Sequence, residues 1–591
     1  SLSGVHRALQ AAAPADVVVE YVQSDVVKFM IAVTLESVLD QGGSLHARRT
    51  DMYSALAADM TKTADDLVSQ FPVVQCTHVW IKKAAFCTSL TKDQVHGIAA
   101  MASVKKIDMP FTVRLHSTLD GGVAVPQYKN AQAKNVEAVG MNVSHDCTTV
   151  QWGVDTVGAP NLWRHGITGR GVVVGSIDTG ANAEHDAIKH NFRRRKGWFN
   201  PYAKGGSDNE LPVDSHVHGT HTIGTMVGAN GIGVAPDAEW IACMGMNSTT
   251  GSQLALVQCA QFMMCPTRRD GTHPECKLGA DVVNNSWGDD SNEYNGWFED
   301  IVAIWQFVGI TPVFSAGNSG PKCATMGNPS RYPNVVAVGS YENDPTQLVF
   351  FSSKGPAFKA AAMTNSLPSA GWRGKTDVVA PGFFTVSAHA KDPEGYIALA
   401  GTSMASPHVA GVIALLKGKL NDLTYEEIFG LLTTTADRDM LQPEPQEWKL
   451  KNGTVIGHGA VNCGDAPDNA WPNHRYGFGR VNAANMVDSD GNLKLNDGGR
   501  SPTPAPTVTH EPAPTTTPSK TRVCTAPELN VDIPGQDIYG VEAADSADCC
   551  GLCLELEACV GYSHREGVCF LKGTIGERMA KDGAISAQAV E

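Results

Sequence analysis

The segment Gly401-Thr-Ser-Met-Ala-Ser-Pro-His-Val-Ala-Gly411 joins a glycine turn, a hydroxyl and a run of small residues to an apolar stretch. From Val409 to Leu416 the apolar residues fall at helical spacing, which predicts Ser403 at the N-terminus of a buried helix. Unpaired backbone N–H groups and the helix dipole there favour a developing negative charge. A serine so placed becomes an acyl-enzyme nucleophile only with a base beside it. A serine that merely caps a core helix has the same local appearance, so the segment must be read with its partners.

Two candidate partners lie upstream. Val172-Val-Val-Gly-Ser-Ile-Asp178-Thr-Gly180 is an apolar run ending in an acid and a glycine. It predicts a buried parallel strand with Asp178 at its C-terminal end, where ligands of open α/β sheets gather. His218-Gly-Thr-His221 precedes small and apolar residues, placing a histidine at the mouth of a buried helix. A strand-end Asp or a lone His is as often structural as catalytic; the order Asp178, His218, Ser403 is what joins them.

These segments, with Ser315-Ala-Gly-Asn318, resemble in kind and order the motifs of subtilisin-like serine proteases (family S8). Flanking text such as Gly224-Thr-Met-Val-Gly228 and Asp281-Val-Val-Asn-Asn-Ser-Trp-Gly288 is most similar to the bacillopeptidase F-like branch. The resemblance runs from about Thr148 to Asn485. It implies an α/β fold, a mostly parallel sheet flanked by helices, and peptide-bond hydrolysis on protein and peptide substrates. It further implies that Ser403 attacks, His218 carries the proton and Asp178 orients the imidazole. His216 and His221 are then packing or hydrogen-bonding residues. Asn318 matches the side-chain donor of the oxyanion hole, with the Ser403 N–H as the second donor.

By the same resemblance Ser286, Trp287 and Gly288 form the strand that pairs with substrate, with Ser315, Ala316 and Gly317 beside it. Trp287 either walls a pocket or belongs to the core. Gly327 aligns with the floor of the first specificity pocket, and a glycine floor suits a bulky apolar side chain. Many relatives bind calcium through an acid that here is Ala187, and the loop from Met226 to Val234 looks too short for the remaining ligands. No metal at that site and no cofactor are therefore expected.

Composition agrees. The 591 residues exceed one core, and 42% hydrophobic with 18% charged residues are globular values. A net charge of −15 makes nucleic acid and membrane poor partners. No apolar run approaches a membrane span. The chain begins at Ser1 without a hydrophobic signal core, as expected of a form already stripped of its signal peptide. Nothing in it requires more than a monomer.

Fifteen cysteines point to a secreted, extracellular protein. Cys76 and Cys87 stand first, and seven lie from Cys147 to Cys463, an odd number that leaves one without a partner in that segment. Six crowd between Cys524 and Cys569, where the text resembles a disulfide-rich PAN/Apple module that binds protein or carbohydrate. A Pro/Thr-rich linker precedes it, and N-linked acceptors occur at Asn142, Asn247 and Asn452, with Asn284 fitting the pattern but inaccessible.

The N-terminal segment has a βαββαβ-like rhythm. A strand is predicted over Asp16–Val22, a helix over Asp51–Phe71, a strand over His78–Ile81, a helix over Leu90–Met101 and a last strand over Val104–Val113. By position and rhythm this α+β (ferredoxin-like) segment resembles the inhibitory propeptide of the family. The implied organisation is propeptide 1–140, peptidase 141–495, linker 496–521 and PAN/Apple module 522–591, with cleavage near residues 130–147. The chain's own propeptide is then its inhibitor. The competing function is a binding protein whose peptidase domain is an inert scaffold.

Overall fold

A computed structural model describes residues 15–23, 45–115, 150–203, 210–289, 291, 293–343, 346–357, 375–439, 441, 447–449, 455–458, 463, 467 and 469–495, with strands between 523 and 590. The predicted cleavage stretch 130–147, the linker 496–521, Cys147 and the sequons at Asn142 and Asn452 lie outside the described residues.

The N-terminal elements are β1 (Ala15–Tyr21), α1 (Leu45–Gln70), β2 (Gln75–Val79), β3 (Ala84–Leu90), α2 (Lys92–Ala99) and β4 (Val104–Asp108). They form an antiparallel sheet in the order β2-β3-β1-β4. Alternation along β1 separates two jobs. Val17 and Val19 pack with Met60, Leu67, Val95 and Ile98 inside the domain. Val18 joins Met52, Leu56 and Phe86 in a core shared with the following domain. α2 begins two residues later than predicted, at a capping box in which Thr91 and Gln94 satisfy each other's backbone N–H groups.

The predicted strand over Val104–Val113 is two strands. Pro110, which has no N–H to give a ladder, interrupts it, and β5 (Thr112–Leu115) belongs to a different sheet from β4.

The central domain runs through α3 (Trp152–Thr156), α4 (Ala159–Arg164), β6 (Val173–Asp178), β7 (Trp198–Phe199), α5 (His218–Val227), β8 (Glu239–Met244), β9 (Thr250–Ser252) and α6 (Gln253–Met264). It continues with β10 (Val282–Asn285), β11 (Trp287–Gly288), α7 (Glu299–Phe307), β12 (Thr311–Ser315), β13 (Val336–Asn343), β14 (Thr346–Leu348), β15 (Val378–Pro381), β16 (Thr385–Ala388), β17 (Tyr396–Leu399), α8 (Thr402–Lys419) and α9 (Tyr425–Thr434). The main sheet follows the order β14-β13-β12-β10-β6-β8-β7, with β15 also on β13; every pair is parallel except β13 with β14. Both faces are covered, as a parallel sheet requires. Val174, Val282 and Val313 point into one core with α5 and α8, and Ile177, Val283 and Phe314 into the other with α6 and α7.

Six of the seven cysteines in this domain pair as Cys243–Cys259, Cys265–Cys276 and Cys323–Cys463, and Cys76–Cys87 ties β2 to β3. Cys147, the seventh, lies outside the described residues. Residues 506–591 form a second compact unit containing a six-stranded sheet built from antiparallel pairs, including Gly561–Arg565, Val568–Lys572 and Met579–Val590. The stapling expected of its six cysteines lies outside the described side chains.

Candidate active site

Parallel strands deliver their C-terminal ends to one edge of the sheet. Ile177 is in register with Asn285, and Asn285 with Phe314, so Asp178, Ser286 and Ser315 stand side by side at the C-terminal ends of β6, β10 and β12. Neighbouring strands are about 4.8 Å apart.

Asp178 Oδ1 accepts from His218 Nδ1 at 2.8 Å and from the Thr179 N–H at 2.7 Å, and both side chains are 1% exposed. Among the described residues His218 Nε2 has no hydrogen-bond partner. Burial draws the imidazole toward its neutral form, but the Asp178 carboxylate, helped by Asp214, outweighs this and holds the His218 pKa above its ordinary value. His221 is pushed down to about 3 by burial and meets the Thr385 and Ile397 carbonyls, so it adds no positive charge beside His218. His216 is half-buried and its N–H goes to Asp214.

The glycines of two motifs exist because their backbones touch. A Cβ on Gly219 would stand 2.1 Å from the Gly180 carbonyl oxygen. Asp214, which the sequence reading passed over, secures this contact. Its Oδ1 accepts from Thr179 Oγ1 and the His216 N–H, and its Oδ2 from the N–H and Oγ1 of Thr220 in the first turn of α5. An acid six residues before Thr220, at the positive end of α5, is the signal that could have found it.

Ser403 is the second residue of α8 and fully buried. Pro407 stands four residues on and has no N–H for the Ser403 carbonyl. Ser286 Oγ fills that place, donating to the Ser403 carbonyl at 3.0 Å, within a buried network with Ser406 and Asn284. Asn284 is thus sealed from glycosylation. Ser403 Oγ points to the Ser286 carbonyl at 3.4 Å. α5 packs against α8, bringing the helices of His218 and Ser403 together.

Asn318 Oδ1 accepts from the N–H and Oγ1 of Thr402 at 3.0 and 2.9 Å, which fixes the amide against the start of α8. Gly317 has φ +107°, a conformation that favours glycine, and its N–H reaches Thr402 Oγ1. Ala316 and Gly327 are joined through Ser330, whose Oγ contacts both carbonyls. Asp289, next to Gly288, pairs with Asn328, next to Gly327. Residues 288, 316–317 and 327 therefore surround one place. The Trp287 indole is in the core against Phe298 and Phe314, and the Trp287 backbone belongs to the short strand β11.

That backbone is already paired. β5 lies between β11 and β9, antiparallel to both, with Leu115 opposite Trp287, Arg114 opposite Gly288 and Val113 opposite Gly251. The wall formed by Thr250–Ser252 carries no motif and was not read from the sequence. Among the described residues no cluster of three or more His, Cys, Asp or Glu could hold a metal ion.

Residues 169–479 match the model of the Subtilase family. Over 347 residues the chain is 35% identical to bacillopeptidase F of Bacillus subtilis (strain 168), covering 54% of this chain and 22% of that protein. The chain thus spans about a fifth of that relative's length. It is 30% identical over 305 residues to subtilisin DY of Bacillus licheniformis, covering 49% of this chain and 92% of that protein. Against subtilisin E of Bacillus subtilis (strain 168) it is 29% identical over 363 residues, covering 57% and 82%.

Proposed function

The chain belongs to the subtilase family, and from that premise we propose that it is a secreted serine endopeptidase made as a zymogen. The observation that carries the reading is the buried His218–Asp178 pair, whose Nε2 has no partner among the described residues, packed beside the helix that bears Ser403. On this reading Ser403 Oγ gives its proton to His218 Nε2 as it attacks the scissile carbonyl. The acyl-enzyme forms when the leaving amine takes that proton, and water then reverses the sequence. Asp178 keeps the proton on Nδ1 and stabilises the imidazolium. The tetrahedral oxyanion is received by Asn318 Nδ2 and the Ser403 N–H at the start of α8.

Substrate adds as a strand between β9 and β11, the place that β5 occupies. This occupancy supports the N-terminal domain as inhibitor. We propose that the cut that frees the N-terminal domain falls beyond Leu115, near residues 130–147. Gly288, Ala316, Gly317 and Gly327 then frame a first pocket for a bulky apolar side chain. The four disulfides among described cysteines support an oxidising, extracellular destination. The C-terminal unit is proposed as a protein- or carbohydrate-binding module.

A peptide library digested by the processed enzyme tests the activity and the pocket together. Cleavage after large apolar residues, absent in Ser403→Ala, is expected. Cleavage mainly after Lys or Arg contradicts the pocket, and equal cleavage by Ser403→Ala contradicts the mechanism.

A further inference from the structure

β5 lies in the groove between β11 and β9, and the domain that carries it is also fastened elsewhere. The fastening is at the opposite edge of the sheet. Arg49, in the first turns of α1, is 0% exposed although it is a cation on a domain surface. Its Nε donates to the Val308 carbonyl at 3.1 Å, one Nη to the Gly279 carbonyl at 2.9 Å, and the other to Asp281 Oδ1 at 2.9 Å. All three acceptors belong to the central domain. Val308 caps the C-terminus of α7, where unpaired carbonyls and the negative end of the dipole attract a cation. Asp281 precedes β10, and its second oxygen accepts the N–H of Val173, the first residue of β6.

We infer that these groups form an arginine socket at the N-terminal edge of the parallel sheet, and that Arg49 seated there keeps β5 in the cleft at the C-terminal edge. The inference rests on the proposed inhibitory role of the N-terminal domain. Val173, bonded to the socket, and Asp178, bonded to His218, are the two ends of one strand, roughly 16 Å apart at the usual rise. α1 runs from the socket into the N-terminal domain. Its Met52 and Leu56 pack into the shared core, and its Met60 and Leu67 into the N-terminal domain's own core. A planar guanidinium offers its donors to the two carbonyls and the carboxylate in one fixed fork, which a lysine ammonium does not. Gln261, which accepts the Trp80 N–H, and Asp300, which pairs with Lys82 at 2.9 Å, add contacts between the two anchors. Two attachments on one folded domain make each re-form quickly when the other holds, so the domain remains seated after the chain is cut beyond Leu115.

The test uses the full chain with Ser403→Ala, which cannot cut itself, with and without Arg49→Ala, read by hydrogen exchange. Losing one partner of a buried charged hydrogen-bond set accelerates release, so amides of β5 and of the first half of α1 should exchange at least about tenfold faster. Amides of β6 and β10 should keep their rates. Lys62→Ala, on an exposed position of the same helix, should change neither. Unchanged exchange in β5 overturns the inference. Loosening of β6 and β10 as well also overturns it, because Arg49 would then serve the peptidase fold. The inhibitory reading fails separately, if the uncut chain with Ser403 intact hydrolyses a small peptide as fast as the cut enzyme.

Discussion

At the scale of single residues, the site depends on side chains that repair what the motifs leave open. Pro407 denies the Ser403 carbonyl its helical donor, and Ser286 supplies one. Replacing Ser286 by Ala leaves that carbonyl buried and unpaired, at a cost of about 1–3 kcal/mol. Denaturant unfolding should show the loss, and kcat should fall with little change in KM, because substrate pairs with the backbone here. Unaltered stability would show that the bond matters little. The base makes a second prediction. His218 must be neutral to accept a proton, and its pKa is raised, so activity is lost as pH falls from above the ordinary value of 6.5. The acid limb of kcat/KM for the released enzyme should lie on the alkaline side of 6.5. With Asp178→Asn, only Asp214 still opposes burial at the imidazole, so the limb should move to lower pH while kcat drops by roughly 10⁴.

At the scale of elements, the sequence was legible where chemistry and local rules coincide. The apolar run before Asp178 is a buried strand ending at that residue, and the run from Val409 to Leu416 lies inside α8. The spacing of Ser315 to Asn318 did not reveal that Thr402 grips the Asn318 amide, because that contact joins residues 84 positions apart. Cys323–Cys463, separated by 140 residues, was unreadable for the same reason. The split between β4 and β5 was readable, since Pro110 marks it, but which sheet β5 joins depends on the groove between β9 and β11. That groove yields a prediction at the same scale. The earliest N-terminal fragment released on maturation should end beyond Leu115, near residues 130–147, as mass spectrometry of a time course would show. A first cut upstream of Thr112 would contradict the proposed role of β5.

For the whole molecule, the N-terminal domain touches the central domain at both ends of its parallel strands. At one end β5 lies between β9 and β11, the proposed place of a substrate, and at the other Arg49 enters a socket of carbonyls and a carboxylate. The proposed result is a built but covered active site, which distinguishes a zymogen from an inert scaffold carrying the same motifs. A fluorophosphonate probe measures this most directly, because it reacts only with a serine activated by its base and reachable from solvent. The account predicts slow labelling of the uncut chain, rapid labelling once the N-terminal domain has left, and none in Ser403→Ala. Full-rate labelling of the uncut chain, or no labelling after the domain has been removed, would contradict it.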